Sequence, residues 1–122
     1  DGLNPEEMIV FAKELQKRGC HFADVTSGQL DSRQKIEFSP GFNLPFSKQV
    51  KSDTTMAAMG VGMITSPVQA EEAITSGATD LIAIARAAMD DPRWSWRAAQ
   101  EFGVDIEYAP NYQRCHPSVW KR

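Results

Sequence analysis

The stretch Thr54–Arg86, TTMAAMGVGMITSPVQAEEAITSGATDLIAIAR, holds two apolar runs separated by one helical segment. Thr54–Val61 and Asp80–Ala85 are each almost entirely apolar or β-compatible, the pattern of parallel strands covered on both faces. Between them Ser66 suits a helix cap, Pro67 the first helical position, and Gln69 stands three residues after the cap. That spacing predicts a capping box and a helix through Glu71, Glu72 and Ile74 to Gly77. Strand, crossover helix, strand is the repeat from which parallel sheets with right-handed connections are built.

The flanks extend the same alternation. Upstream, Asn4-Pro5-Glu6-Glu7 reads as a capped helix start, with Glu7 completing a capping box. Met8, Phe11, Ala12 and Leu15 then recur at helical spacing as the inward face, leaving Glu7, Lys13, Glu14 and Lys17 to solvent. Gly19 stops that helix, His21–Thr26 reads as a strand, and Ser27-Gly28-Gln29 as the loop after it. A polar connection covers Leu30–Asn43 with a Pro40-Gly41 turn, and a short helix is predicted over Pro45–Ser52. Downstream, a short helix opens at Arg86 and stops before Pro92, and Trp94–Phe102 forms another with Trp96, Ala99 and Phe102 on one side. The tail, residues 104–122, reads as irregular. The whole is an α/β unit of about three parallel strands with flanking helices. A doubly wound sheet and a slice of a (β/α)8 barrel fit this order equally well.

Composition narrows the class further. With 122 residues the chain has room for one modest domain, and its net charge of −3 argues against nucleic acid, which demands clustered Lys and Arg. Basic residues are scattered, apart from Lys121-Arg122. No apolar run approaches the ~20 residues of a membrane span, and no charged-then-apolar leader opens the chain. Cys20 and Cys115 stand far apart without a CxxC spacing, which fits a reducing cytosol and argues against a disulfide framework or a zinc site. A cytoplasmic location is the resulting expectation. The chain opens on Asp1 rather than Met, and so reads as a piece of something longer.

The chemistry-bearing residues sit at two strand ends. Gly60-Val61-Gly62-Met63-Ile64 follows one strand and Ala85-Arg86 the next. Phosphate binding needs exposed backbone N–H groups, little side-chain obstruction and a positive field. Glycines allow the close approach, a following helix start adds its dipole, and Arg86 offers a planar fork of donors. In (β/α)8 barrels the phosphate site is often built from the loops after strands seven and eight with a short extra helix. A plain tight strand-to-helix turn would use the same glycines.

Five segments, in order, make the chain similar to the old yellow enzyme family. Ala23-Asp24-Val25-Thr26-Ser27-Gly28 resembles its DVSSG strand end, and Pro40-Gly41-Phe42-Asn43-Leu44-Pro45-Phe46 its PGYQVPF segment. Gly62-Met63-Ile64-Thr65 matches GMIT, Asp80–Arg86 resembles DLIALGR, and Asp91-Pro92-Arg93-Trp94 matches DPxW. The likeness is greatest to the NADPH dehydrogenase, or xenobiotic reductase-like, branch. It implies the C-terminal part of a TIM (β/α)8 barrel, strands six to eight, spanning residues 1–122 with the tail 104–122.

The resemblance further implies FMN as cofactor, NADPH or NADH as reductant, and ene reduction of activated alkenes such as enones. Gly62, Met63, Ala85 and Arg86 would hold the FMN phosphate, with Ser27 toward the flavin at the barrel mouth. Ala85 departs from the family's glycine, and its methyl group takes space beside the phosphate. Tyr112-Gln113-Arg114 resembles a C-terminal YxR segment whose arginine acts on the substrate pocket of a neighbouring subunit, so Arg114 is the candidate in trans. The family's substrate-polarising and proton-donating residues have no counterpart here, and neither His21 nor His116 replaces them. The expectation is therefore an inactive isolated chain that pairs with a complementary N-terminal part of the barrel or with itself. A non-catalytic flavin- or phosphate-binding half-barrel and an inactive structural fragment are the alternatives.

Overall fold

A reciprocal cap starts the first helix, α1 (Pro5–Lys17), in the computed structural model of the chain: the Asn4 side chain accepts from Glu7 N–H at 2.8 Å, and the Glu7 carboxylate accepts from Asn4 N–H at 3.0 Å. The structure describes residues 2–28 and 30–120; Asp1, Gln29 of the Ser27–Gln29 loop, and Lys121-Arg122 lie outside them. After α1 come β1 (Phe22–Val25), α2 (Leu44–Asp53), β2 (Ala57–Gly60), α3 (Pro67–Thr75), β3 (Leu81–Ile82), α4 (Arg86–Asp90) and α5 (Trp94–Glu101). A 3-10 helix over Pro110–Cys115 follows.

The strands form one parallel sheet in the order β1-β2-β3, with Val25 opposite Gly60 and Gly60 opposite Ile82. Side chains alternate between faces, so Val25 and Ala58 share one face and Phe22, Ala57 and Leu81 the other. The first face is closed: Val25 is 5% and Ala58 0% exposed. On the second, Phe22 and Leu81 are 41% and 50% exposed. Coverage of both faces, expected from the apolar runs, is thus not met within this chain. Right-handed connections put successive helices on the same side of a parallel sheet, so these helices cover one face only.

Ile9, Ala12, Val25, Val50 and Met56 make the core between α1, α2 and the sheet, with Met8, Cys20, Ala23 and Phe46 packed against it. Phe11, expected inward, is 54% exposed, and Ile9 takes the inward position. α2 lies close on β2 because Gly60 has no side chain: a Cβ there would meet Leu44 Cδ2 at 2.7 Å and Ser47 Oγ at 3.0 Å. The buried hydroxyl of Thr79 donates to the Ala58 carbonyl at 2.8 Å, and that of Ser47 reaches the Ala78 carbonyl at 3.0 Å. Buried polar groups of this kind are tolerated because each is hydrogen-bonded.

The strands are shorter than their apolar runs. Thr54 caps α2, its N–H and Oγ1 both donating to the Val50 carbonyl, and Gln16 holds Thr55 N–H at 2.8 Å, so pairing begins only at Ala57. β3 stops at Ile82 because β2 ends at Gly60, leaving Ala83 one last bond to the Gly60 carbonyl at 2.9 Å. α3 begins as a half capping box. Ser66 Oγ accepts from Gln69 N–H at 3.2 Å, but Gln69 Oε1 accepts from Thr65 N–H instead of Ser66 N–H. The tail is more ordered than its sequence suggests. Tyr108 is 3% exposed, stacks on Trp96 with centroids 4.0 Å apart, and its hydroxyl accepts from Gln100 Nε2 at 2.8 Å.

Candidate functional site

At the C-terminal end of β2 the chain turns on two consecutive residues with positive φ, Gly62 at 127° and Met63 at 49°. A side chain at Gly62 would be strained by that φ and would meet the Phe42 ring at 3.0 Å and Asn43 N at 3.1 Å. Three of the turn's carbonyls are tied back into the protein. Gly62 O accepts from Gly41 N–H at 2.7 Å, Met63 O from Gln69 Nε2 at 3.1 Å, and Thr65 O from Trp94 Nε1 at 3.0 Å. The N–H groups of Gly62, Met63 and Ile64 have no acceptor among the described residues, and the same holds for those of Ala85, Arg86 and Ala87 beyond β3. A turn with carbonyls fixed inward and amides left open is a concavity suited to an anion.

One salt bridge helps set β3, and so Arg86, beside that turn. Asp80 Oδ1 pairs with Lys51 Nζ at 2.7 Å and Asp80 Oδ2 accepts from Ala58 N–H at 2.9 Å, bracing β3 against α2 and β2. The Lys51 ammonium, and next the Ala58 amide, hold the Asp80 carboxyl below its usual range. Arg86 is exposed and its side chain makes no ion pair or hydrogen bond among the described residues, so its guanidinium is free for a ligand.

Ser27, Gly62, Met63, Ala85 and Arg86, the five cofactor-binding candidates, all line one cleft of about 390 Å³. Arg114 does not: it stands exposed on the 3-10 helix, outside this cleft. Ala85 has φ −114°, which any residue adopts, so alanine in the family's glycine position carries no backbone strain. The dipole contribution expected from a helix start is small here. The first turn of α3 is already capped by Ser66, and α4 has only five residues. The positive field comes from Arg86 and the open amides.

Sequence reasoning missed the residues that shape the turn from outside. Phe42 and Asn43 lie against Gly62, and Gln69 and Trp94 hold the carbonyls of Met63 and Thr65. The Pro40–Phe46 segment was visible as a matched motif, but nothing local showed that it folds onto another strand's end.

A second cleft, also about 390 Å³, lies beside the tail and is lined by Asp105, Glu107, Tyr108 and His116 among others. Its carboxylates repel a phosphate. Three of its polar groups are engaged with one another: His116 Nε2 meets Asp105 at 3.0 Å and Nδ1 meets Ser118 Oγ at 2.7 Å. The strand-end cleft is the one whose donors match the acceptor-only oxygens of a phosphate, and its volume is in the ~300–1,000 Å³ range of small-molecule sites. An FMN phosphate fits that donor set: Arg86 and the amides of Gly62, Met63 and Ala85 would hold it.

Comparison with known proteins gives the family. Residues 1–104 match the family described as NADH:flavin oxidoreductase / NADH oxidase. The chain is 34% identical over 114 residues to the NADPH dehydrogenase of Geobacillus sp. strain WCH70, covering 93% of this chain and 33% of that protein. It is 33% identical over 114 residues to the NADPH dehydrogenase of Geobacillus thermodenitrificans, with the same coverage. To the NADPH dehydrogenase of Bacillus licheniformis it is 34% identical over 113 residues. The chain therefore spans about a third of the length of the curated relatives it matches.

Proposed function

The chain belongs to the NADH:flavin oxidoreductase / NADH oxidase family, and from that premise we propose that it forms the cofactor-phosphate-holding part of an FMN-dependent NAD(P)H oxidoreductase barrel. The observation that carries this reading is the strand-end turn, with the carbonyls of Gly62, Met63 and Thr65 held by the protein and the turn's amides open beside a free Arg86. FMN, when bound, supplies hydride transfer from NAD(P)H to an activated alkene such as an enone, the reaction we propose for the whole barrel. The residues of this chain bind and orient. The Gly62–Ile64 and Ala85–Ala87 amides and the Arg86 fork fix the phosphate, while Gln69 and Trp94 keep the turn in shape.

In this proposal β1, β2 and β3 take the sixth to eighth places of the closed barrel, and Arg114 serves the substrate pocket of a neighbouring subunit. The open face bearing Phe22, Ala57 and Leu81, and the unpaired edges of β1 and β3, are covered by the rest of the barrel. The relatives' threefold greater length supports that occupant. Substrate polarisation and protonation then belong to residues outside this chain, so the chain alone turns over no enone.

Titration of the 122-residue chain with FMN, followed by flavin fluorescence, tests the reading. Saturable binding that weakens roughly 10- to 100-fold in Arg86→Ala, the loss of a charge-assisted hydrogen bond, supports it. Equal affinity of the parent chain and Arg86→Ala contradicts it.

A further inference from the structure

Met63 is the one non-glycine residue with positive φ among the described residues, at 49°. A side chain disfavours that left-handed geometry, which persists only where the surroundings hold it. Burial of the Met63 side chain does not supply the hold, since the residue is 38% exposed. The hold comes from α3. Gln69 Nε2 donates to the Met63 carbonyl at 3.1 Å, and Gln69 Oε1 accepts from Thr65 N–H at 3.0 Å. One side-chain amide thus bridges the backbone on both sides of the buried Ile64. A carbonyl only accepts and a backbone N–H only donates, so that amide has a single orientation. Gln69 is itself fixed, because its N–H donates to Ser66 Oγ at 3.2 Å in the first turn of α3.

Met63, Ile64 and Thr65 line the strand-end cleft and Gln69 does not. Gln69 therefore acts on the turn from behind. Consecutive amides converge on an anion only while the chain keeps its left-handed turn. Resting on the cofactor-phosphate reading above, we propose that Gln69 is the positioning residue of the cradle. Its clamp offsets the strain at Met63 and so keeps the Met63 and Ile64 amides together for the phosphate. Without the clamp, Met63 relaxes toward negative φ and the amides lose their common target. This also gives a use to the incomplete capping box of α3: the Gln69 side chain leaves Ser66 N–H and takes the turn instead.

The test is a double-mutant cycle read by FMN titration of the intact 122-residue chain. Gln69→Met keeps the length of the side chain and removes both bonds. It is expected to weaken FMN roughly tenfold, the population cost of one left-handed non-glycine residue. Glycine adopts positive φ freely, so in a Met63→Gly background the same Gln69→Met change is expected to cost less than about threefold. That difference supports the proposal. An equal loss in the two backgrounds, or no loss in either, overturns it, because a side chain that merely stabilised α3 would act alike in both. If Gln69→Met does not fold by far-UV circular dichroism, Gln69→Glu replaces it in the cycle. That variant still accepts from Thr65 N–H but has no proton for the Met63 carbonyl at neutral pH. Its added charge acts in both backgrounds and drops out of the comparison. Arg86→Ala separates the two readings. Where it weakens FMN while the Gln69 loss is the same in both backgrounds, the phosphate site stands and the clamp falls. Where the parent chain binds no FMN, or binds it no more tightly than Arg86→Ala does, both fall.

Discussion

The strand-end cleft and the tail cleft enclose the same volume, about 390 Å³ each, and differ in nearly everything else. Around the tail several polar groups satisfy one another. Asp105 meets His116, His116 meets Ser118, and Gln100 meets Tyr108, whose ring is clamped on Trp96. Around the strand ends the carbonyls of Gly62, Met63 and Thr65 are held by the protein, while the amides of Gly62–Ile64 and Ala85–Ala87 have no acceptor among the described residues. The first pattern is how a segment is fastened down; the second is how a ligand is awaited. Volume alone would not have told them apart, whereas counting which hydrogen-bonding groups are left over does.

The sharpest way to break that contrast is Tyr108→Ala. Removing a nearly buried aromatic ring is expected to destabilise the chain by about 3 kcal/mol, seen as a lower urea midpoint. The FMN affinity of the molecules that stay folded is expected to be unchanged. A parallel loss of FMN affinity would mean that the tail cleft and the cofactor cleft are one functional unit. Gly62→Ala comes next. Its φ of 127° and the closeness of Phe42 and Asn43 N leave no relaxed place for a methyl group. A cost of about 1–3 kcal/mol is expected, and here FMN binding should fall together with stability, because the strained residue is itself part of the cradle. Wild-type affinity in that variant would argue that the turn amides hold nothing.

The smallest effect concerns the brace behind the cradle. Asp80 is held below its ordinary pKa chiefly by Lys51, so its ion pair stabilises the fold at pH values above the usual carboxylate range. That contribution is lost as pH falls through the ordinary value toward the lowered one. Asp80→Asn is therefore expected to lower the thermal midpoint modestly at pH 7, and the gap from the parent should close as the solution is acidified below pH ~4. A gap that stays constant down to pH 2 would show that Asp80 acts through its hydrogen bond to Ala58 N–H and not through its charge.

The local signals in the sequence were strong where one segment satisfies itself. Asn4 and Glu7 cap each other within one turn, so their reciprocal bonds were legible from spacing. The parallel αβ alternation was legible for a related reason, since hydrophobic periodicity reports which local geometry buries its own apolar residues. Gly62 and Arg86 were legible as a pair because the family motifs that contain them arrive in order. Where a residue's partner comes from elsewhere in the chain, the spacing misled. Gln69 looks like the second half of a capping box, yet its side chain bonds Thr65 N–H and Met63 O. The apolar run Thr54–Val61 looks like eight residues of strand, but Thr54 and Thr55 are claimed by α2 and by Gln16 of α1.

The sequence by itself thus determined the α/β order, the helix caps and the family, because these depend on neighbours a few residues apart or on motifs in sequence. Only the tertiary structure decided that Gly41, Gln69 and Trp94 converge on one turn, that Asn43 holds Ser27, and that the tail is fastened by Trp96 against Tyr108. Each of those contacts joins segments with no shared periodicity. Hydrogen bonds between them are fixed by the packing of α2 onto the sheet and of α5 onto α3, and nothing in the spacing of the residues encodes that packing.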